Sequence, residues 1–189
     1  MRIAVLSDIH DNVWKLAAAL AAVRGTDALI CCGDLCSPFI VHQIGREYAG
    51  PVHIVFGNND ADLYRITAIA AKYPHIRLWG EFAASEFGGR RVAVHHFDNL
   101  ARPLAASGMY DVVFFGHNHR HEISRAGDTL VINPGPIMGA AFRPDGTRED
   151  VASTFVVYDT ESGAAATYQV LADGAVDQVD PKFNQKSIS

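Results

Sequence analysis

Five short polar motifs each stand directly behind an apolar run: Ser7-Asp8-Ile9-His10, Gly33-Asp34, Gly57-Asn58-Asn59-Asp60, His95-His96 and Gly116-His117-Asn118-His119. Alternate residues of an extended chain point the same way, so D-x-H and H-x-H spacings can aim two side chains at one ion. A glycine before the ligand lets the backbone turn at the strand end. Asp8, His10, Asp34, Asn58, His95, His117 and His119 together offer two carboxylates, one amide oxygen and four imidazoles. That mixture suits borderline divalent ions such as Mn²⁺, Fe²⁺, Ni²⁺ or Zn²⁺ better than Ca²⁺ or Mg²⁺. Taken singly, each motif is weak, because D-x-H or G-D is more often a cap or a turn. Their shared placement behind strands is what carries weight, since strand C-terminal ends in open α/β sheets gather at one edge.

The elements that must position them are legible in the first third. Apolar runs at Arg2–Leu6, Ala28–Cys32 and Val52–Phe56 have strand length. Between them lie helical patterns: one after Asp11-Asn12 with Val13, Leu16, Leu20 and Val23 on a face, one from Ser37-Pro38 to before Gly50-Pro51, and one over about Ala61–Lys72 with Leu63, Ile66 and Ala70 inward. From Trp79 the pattern turns to strands, with Gly88-Gly89 as a hairpin turn and a last strand near Ala165–Leu171. The stretch 137–152 has no clear period and is expected to border the site as a loop. One domain over 1–172 and a fraying polar tail over 173–189 are expected.

Composition excludes several classes. The 189 residues carry a net charge of −5, so no general basic field draws in nucleic acid or anionic membrane. No run approaches a membrane span, no export signal is visible, and three clustered cysteines, Cys31, Cys32 and Cys36, do not form a disulfide framework. A cytoplasmic protein is expected, with no indicated oligomer. Trp14, Trp79 and the phenylalanines read as core.

The full motif series, D-x-H, G-D, G-N-x-D, H and G-H-x-H, resembles the calcineurin-like metallophosphoesterase superfamily. The strand Val92-Ala93-Val94 entering His95 and the Ile132-Asn133-Pro134-Gly135 segment resemble its compact bacterial and archaeal phosphodiesterases, related to the retromer subunit of eukaryotes. The resemblance spans about Met1–Leu171. It implies an α/β, four-layer αββα sandwich with two mixed β-sheets flanked by helices. It implies one metal on Asp8, His10 and His119, a second on Asn58, His95 and His117, and Asp34 as the bridge. It further implies phosphodiester hydrolysis by a hydroxide bridging the two ions. A phosphomonoesterase and a non-catalytic scaffold for protein contacts are the alternatives.

Two positions depart from the family pattern. Asn59 stands where many members carry a histidine that protonates the leaving group, and a neutral amide cannot do so. His96 stands where the family has glycine. His95 is read as the ligand because it continues the apolar strand, which leaves His96 as a substitute proton donor. Asp60 either orients a ligand or caps the third helix. Asn133-Pro134-Gly135-Pro136 reads as a structural turn and Arg143 as a solvated loop arginine.

Overall fold

The computed structural model describes residues 1–179. The chain opens with β1 (Arg2–Leu6), α1 (Val13–Ala22), β2 (Ala28–Cys31), α2 (Pro38–Glu47), β3 (Val52–Ile54), α3 (Leu63–Ala70) and β4 (Ile76–Leu78). It continues with β5 (Phe82–Phe87), β6 (Arg90–His95), α4 (Asp98–Ala106), β7 (Val112–Phe114), β8 (Glu122–Ala126) and β9 (Thr129–Asn133). It closes with β10 (Ala140–Phe142), β11 (Arg148–Asp150), β12 (Thr154–Asp159), β13 (Ala165–Val170) and β14 (Val176–Val179).

A seven-stranded sheet runs β14-β13-β12-β1-β2-β3-β4 and a five-stranded one β5-β6-β7-β9-β8. In the first, β1 to β4 are parallel; in the second, β6, β7 and β9 are parallel. Period-2 alternation sorts the side chains into layers. Ile3, Val5, Ala28, Ile30 and Cys32 meet Val92, Val94, Val112 and Phe114 between the sheets. Ala4, Leu6, Leu29 and Cys31 face the other way, against Leu16 and Leu20 of α1 and Ile40 and Ile44 of α2. Beyond the second sheet, Ala93, Val113 and Val131 pack on Ala101 and Ala105 of α4. The molecule is thus a mixed α/β sandwich of two sheets between outer helices.

Local signals account for the elements that position the site. Asn12 caps α1 by accepting the Lys15 N–H, and Pro38 opens α2 at a position where the missing N–H costs nothing. Asp62, not Asp60, caps α3, and Leu63 is exposed rather than inward. Gly88 and Gly89, both at positive φ, make the two-residue turn between β5 and β6.

Four expectations are corrected. The stretch from Trp79 is not strands alone: it includes helix α4, which packs through Ala101, Ala105 and partly buried Leu104 and has Pro103 inside it. The segment 137–152 contains the β10–β11 hairpin, in which Arg143 pairs with Glu149. The expected tail begins with an ordered edge strand, since β14 pairs antiparallel with β13; residues 180–189 lie outside the described residues. Trp14 is 80% exposed, not core. No helix among the described residues is long and apolar enough to cross a membrane.

Cys31 and Cys32 point to opposite faces of the first sheet and are both fully buried. Burial, with the Asp60 charge, pushes the Cys31 thiol up to about 12, and burial raises Cys32 well above the ordinary range. Thiolate is the reactive form, so both thiols are expected to resist an aromatic disulfide reagent at about pH 8 until denaturant is added. Mass-spectrometric detection of label on either residue in the native protein would contradict this inward placement.

Candidate metal centre

The loops after β1, β2, β3, β6 and β7 meet at one edge, laced together by hydrogen bonds that involve the backbone. The N–H groups of Ile9 and His10 donate to the Asp34 carbonyl at 2.9 and 3.0 Å. Asp60 accepts from the Asp34, Cys36 and Gly57 N–H groups at 3.0, 2.8 and 2.8 Å, so this buried carboxylate ties two loops together instead of capping a helix. The His117 N–H donates to both Asp8 oxygens at 3.1 Å. Asn133 donates to the Gly116 carbonyl and Asn118 Oδ1 at 3.0 Å each, holding the G-H-N-H loop from beneath. The turn reading of Asn133-Pro134-Gly135-Pro136 stands, with this added positioning task.

Within that frame the donors converge. Ligand atoms of Asp8, His10, Asp34 and His119 lie within 4.8 Å of one another. His10 Nε2 is 3.1 Å from His119 Nε2 and 3.4 Å from Asp34 Oδ2, and His119 Nε2 is 3.3 Å from Asp8 Oδ1. His96 Nε2 lies 3.4 Å from the same Asp34 oxygen, Oδ2, and 3.2 Å from Asn58 Oδ1. The His117 ring stands edge-on to that of His96, centroids 5.2 Å apart, with Phe97 against both.

His96, not His95, occupies this position. Strand phase decides it: Val92 and Val94 point between the sheets, and His96 continues their face, whereas His95 shares the opposite face with Ala93. His95 Nδ1 accepts the Phe97 N–H at 3.1 Å, whereas His96 Nε2 is the one that faces Asp34 and Asn58. The expectation that His95 joins the cluster while His96 points elsewhere is therefore reversed.

The donor set fits divalent cations. The Cys32 carbonyl, 2.7 Å from His96 Nδ1, and the Ala140 carbonyl, 2.5 Å from His119 Nδ1, can only accept, so each imidazole carries its proton on Nδ1. Each neutral ring then turns the Nε2 lone pair inward, the second-layer arrangement that metal-ligating histidines use. For His96 that lone pair faces the Asn58 carbonyl oxygen, acceptor against acceptor, a contact that only a shared cation or proton relieves. The metal-free pKa directions say the same. Burial lowers the pKa of His96 and His119, but the carboxylates beside them, chiefly Asp34 and Asp8 respectively, outweigh it and raise both. Burial pushes Asp34 up, yet His96 and Asn59 hold it well below the usual carboxylate range. Asn59 uses its N–H and side-chain amide, both at 2.8 Å, on the two Asp34 oxygens.

The backbone is strained here. Asp8, His10, Asp11, Asp34, Cys36, His117 and His119 are the non-glycine residues at positive φ among the described residues, and five of these are expected ligands. Such conformations cost on the order of 1 kcal/mol or more each and persist at sites that use them. Gly33, at φ 99°, turns the chain as expected, whereas two other motif glycines are needed for a different reason. Gly57 and Gly116 do not have positive φ; they are required by close approach. A methyl on Gly57 would strike Asp34 Oδ1 and lie 2.7 Å from the Asp34 nitrogen, and one on Gly116 would strike Ser7 Oγ and lie 2.6 Å from Asp8 Oδ2.

The spacing motifs brought Asp8, His10, Asp34, Asn58, His117 and His119 to one edge as anticipated. What spacing could not show were the Cys32 and Ala140 carbonyls, because a backbone acceptor leaves no mark in residue type. Strand alternation was the signal that could have placed His96.

Residues 1–163 match the calcineurin-like phosphoesterase superfamily domain, and the chain belongs to that family. A phosphodiesterase of Methanocaldococcus jannaschii is 27% identical over 143 residues, 74% of this chain and 86% of that protein. Among solved structures, an archaeal phosphodiesterase superposes with a TM-score of 0.78 at 24% identity, covering 89% of this chain and 99% of the other. Vps29 of Entamoeba histolytica complexed with zinc gives 0.65 at 18% identity, over 95% and 97% of the two chains.

Gly57→Ala and Gly116→Ala are each expected to destabilise the protein by about 1–3 kcal/mol, as overpacking does, and to weaken Mn²⁺ binding. Denaturant unfolding and Mn²⁺ titration check this; wild-type stability with wild-type affinity in both variants would contradict the close approach.

Proposed function

We propose that this protein is a metal-dependent phosphodiesterase acting on small phosphodiesters such as cyclic nucleotides. One observation carries the reading: Asp8, His10 and His119 gather at Asp34, and His96, 3.2 Å from Asn58 Oδ1 and with the His117 ring against it, approaches the same Asp34 oxygen as His10, so that two groups, Asp8–His10–His119 and Asn58–His96–His117, can share Asp34. Each group would hold one divalent ion with Asp34 as the bridge, and His96 replaces His95 in the expected set. Mn²⁺, Fe²⁺, Ni²⁺ or Zn²⁺ suit these donors. When bound, such a pair supplies an activated water and clamps the phosphoryl oxygens.

The chain's own residues do the rest. Cys32 and Ala140 fix the tautomers of His96 and His119, and Asn59 fixes Asp34. The Phe97 ring backs His96 and His117, limiting their movement. With its amide committed to Asp34 and no acidic proton, Asn59 gives the departing alkoxide none, and with His96 taken as a ligand the substitute donor is withdrawn. This arrangement favours leaving groups that depart as stable anions, so diesters of phenols turn over faster than alkyl diesters. The three free cysteines fit a reducing, cytoplasmic setting.

With Mn²⁺ and bis(p-nitrophenyl) phosphate, His96→Gln is expected to lower kcat/KM by about 100-fold or more, His95→Gln by less than about threefold, and Asp34→Ala to abolish turnover. A larger loss in His95→Gln than in His96→Gln would overturn the ligand assignment. Absence of metal-dependent turnover in the wild type would overturn the phosphodiesterase reading and favour the scaffold.

A further inference from the structure

The segments that border Asp8, His10 and His119 carry two aromatic residues that the core does not use. Trp14 lies in the first turn of α1, outside the stripe of Leu16, Leu20 and Val23, and is 80% exposed. Phe142 ends β10 and is 58% exposed. Hydrogen bonds place both segments at the centre. Asn12, the α1 cap, donates to the Met138 carbonyl at 3.2 Å, and the Met138 N–H donates to the Asp8 carbonyl at 2.9 Å. Two residues on, Ala140 receives the His119 Nδ1 hydrogen bond. Lys15 Nζ stands 2.9 Å from where a side chain on Gly139 would begin, so the first turn of α1 lies against the base of the hairpin. Phe142 shares a face of β10 with buried Ala140 and extends that face outward.

We propose that Trp14 and Phe142 are specificity-determining residues that select phosphodiesters carrying a planar aromatic arm, such as a nucleobase or aryl group; this rests on the phosphodiesterase reading above. A diester has two organic arms, and an arm leaving the Asp8–His119 side of the centre must cross these segments. Aromatic faces left in water beside a site are suited to stacking, which tolerates any planar group. The hairpin's own arginines are each matched to a carboxylate, Arg143 to Glu149 at 3.3 Å and Arg148 to Asp150 at 2.7 Å.

The test compares benzyl p-nitrophenyl phosphate with cyclohexylmethyl p-nitrophenyl phosphate under Mn²⁺. The leaving group is the same and the retained arms match in size, differing in aromaticity. The wild type is expected to favour the benzyl diester about tenfold in kcat/KM, mainly through KM. Trp14→Ala and Phe142→Ala should each lower that ratio about threefold or more, and the double variant should bring it to about one. Trp14→Phe should retain most of the preference, and Met109→Ala, an exposed apolar residue away from the centre, should leave the ratio unchanged. Turnover of both diesters at equal kcat/KM, or a ratio that survives in the double variant, would overturn the aromatic-arm assignment while leaving the phosphodiesterase reading intact. Hydrolysis of neither diester by the wild type would overturn both.

Discussion

Two carboxylates, Asp8 and Asp34, are withdrawn almost completely from water within the same few ångströms. An unpaired buried carboxylate costs several kcal/mol, so their neighbours must supply positive potential or hydrogen bonds at every oxygen. Asn59 covers both oxygens of Asp34, the His117 N–H reaches both of Asp8, and imidazoles fill the space between. The strained φ values and the two close-packed glycines follow from this crowding, because side chains from five loops fit around two carboxylates only if backbones approach closely. A polar cluster of this kind does not stabilise a fold. It is tolerated because the three apolar layers behind it are well packed.

The double sheet is what makes the crowding achievable. The first sheet delivers the loops after β1, β2 and β3; the second delivers those after β6 and β7, with their ends at the same edge. Within the second sheet, Val92 and Val94 point between the sheets and His96 continues that phase, whereas His95 shares the other face with Ala93. Most of the other candidate ligands sit past their strand ends, where the backbone re-aims them. On the reading proposed above, recognition and catalysis share a border: the α1 cap and the base of the β10–β11 hairpin are hydrogen-bonded to the Asp8 loop and to His119, and the same two segments carry Trp14 and Phe142.

Much of this was legible from residue types alone. Motifs behind apolar runs marked the site because each pairs a strong period-2 or short apolar signal with a ligand type; α1 had a cap and a stripe, and α2 a proline start and a Gly-Pro stop. The failures have separate physical causes. Adjacency to the strand was weighed above strand phase at His95-His96, although Val92 and Val94 already set that phase. Helix α4 is short and its buried positions are alanines, and Pro103 within it reads as a break. The β10–β11 hairpin lacks alternation, and β14 is a polar edge strand held mainly by backbone pairing with β13. Trp14 shows the converse: hydrophobicity argued for burial, while its place off the α1 stripe argued against it.

The centre can be tested without turnover, by anomalous diffraction from crystals soaked in Mn²⁺. Two peaks are expected, one on each side of the Asp34 carboxylate, with His96 Nε2 next to the one that also adjoins Asn58, and His95 next to neither. A single peak at Asp8, His10 and His119 with His96 uninvolved, or a second ion held by His95, would contradict the shared centre described here.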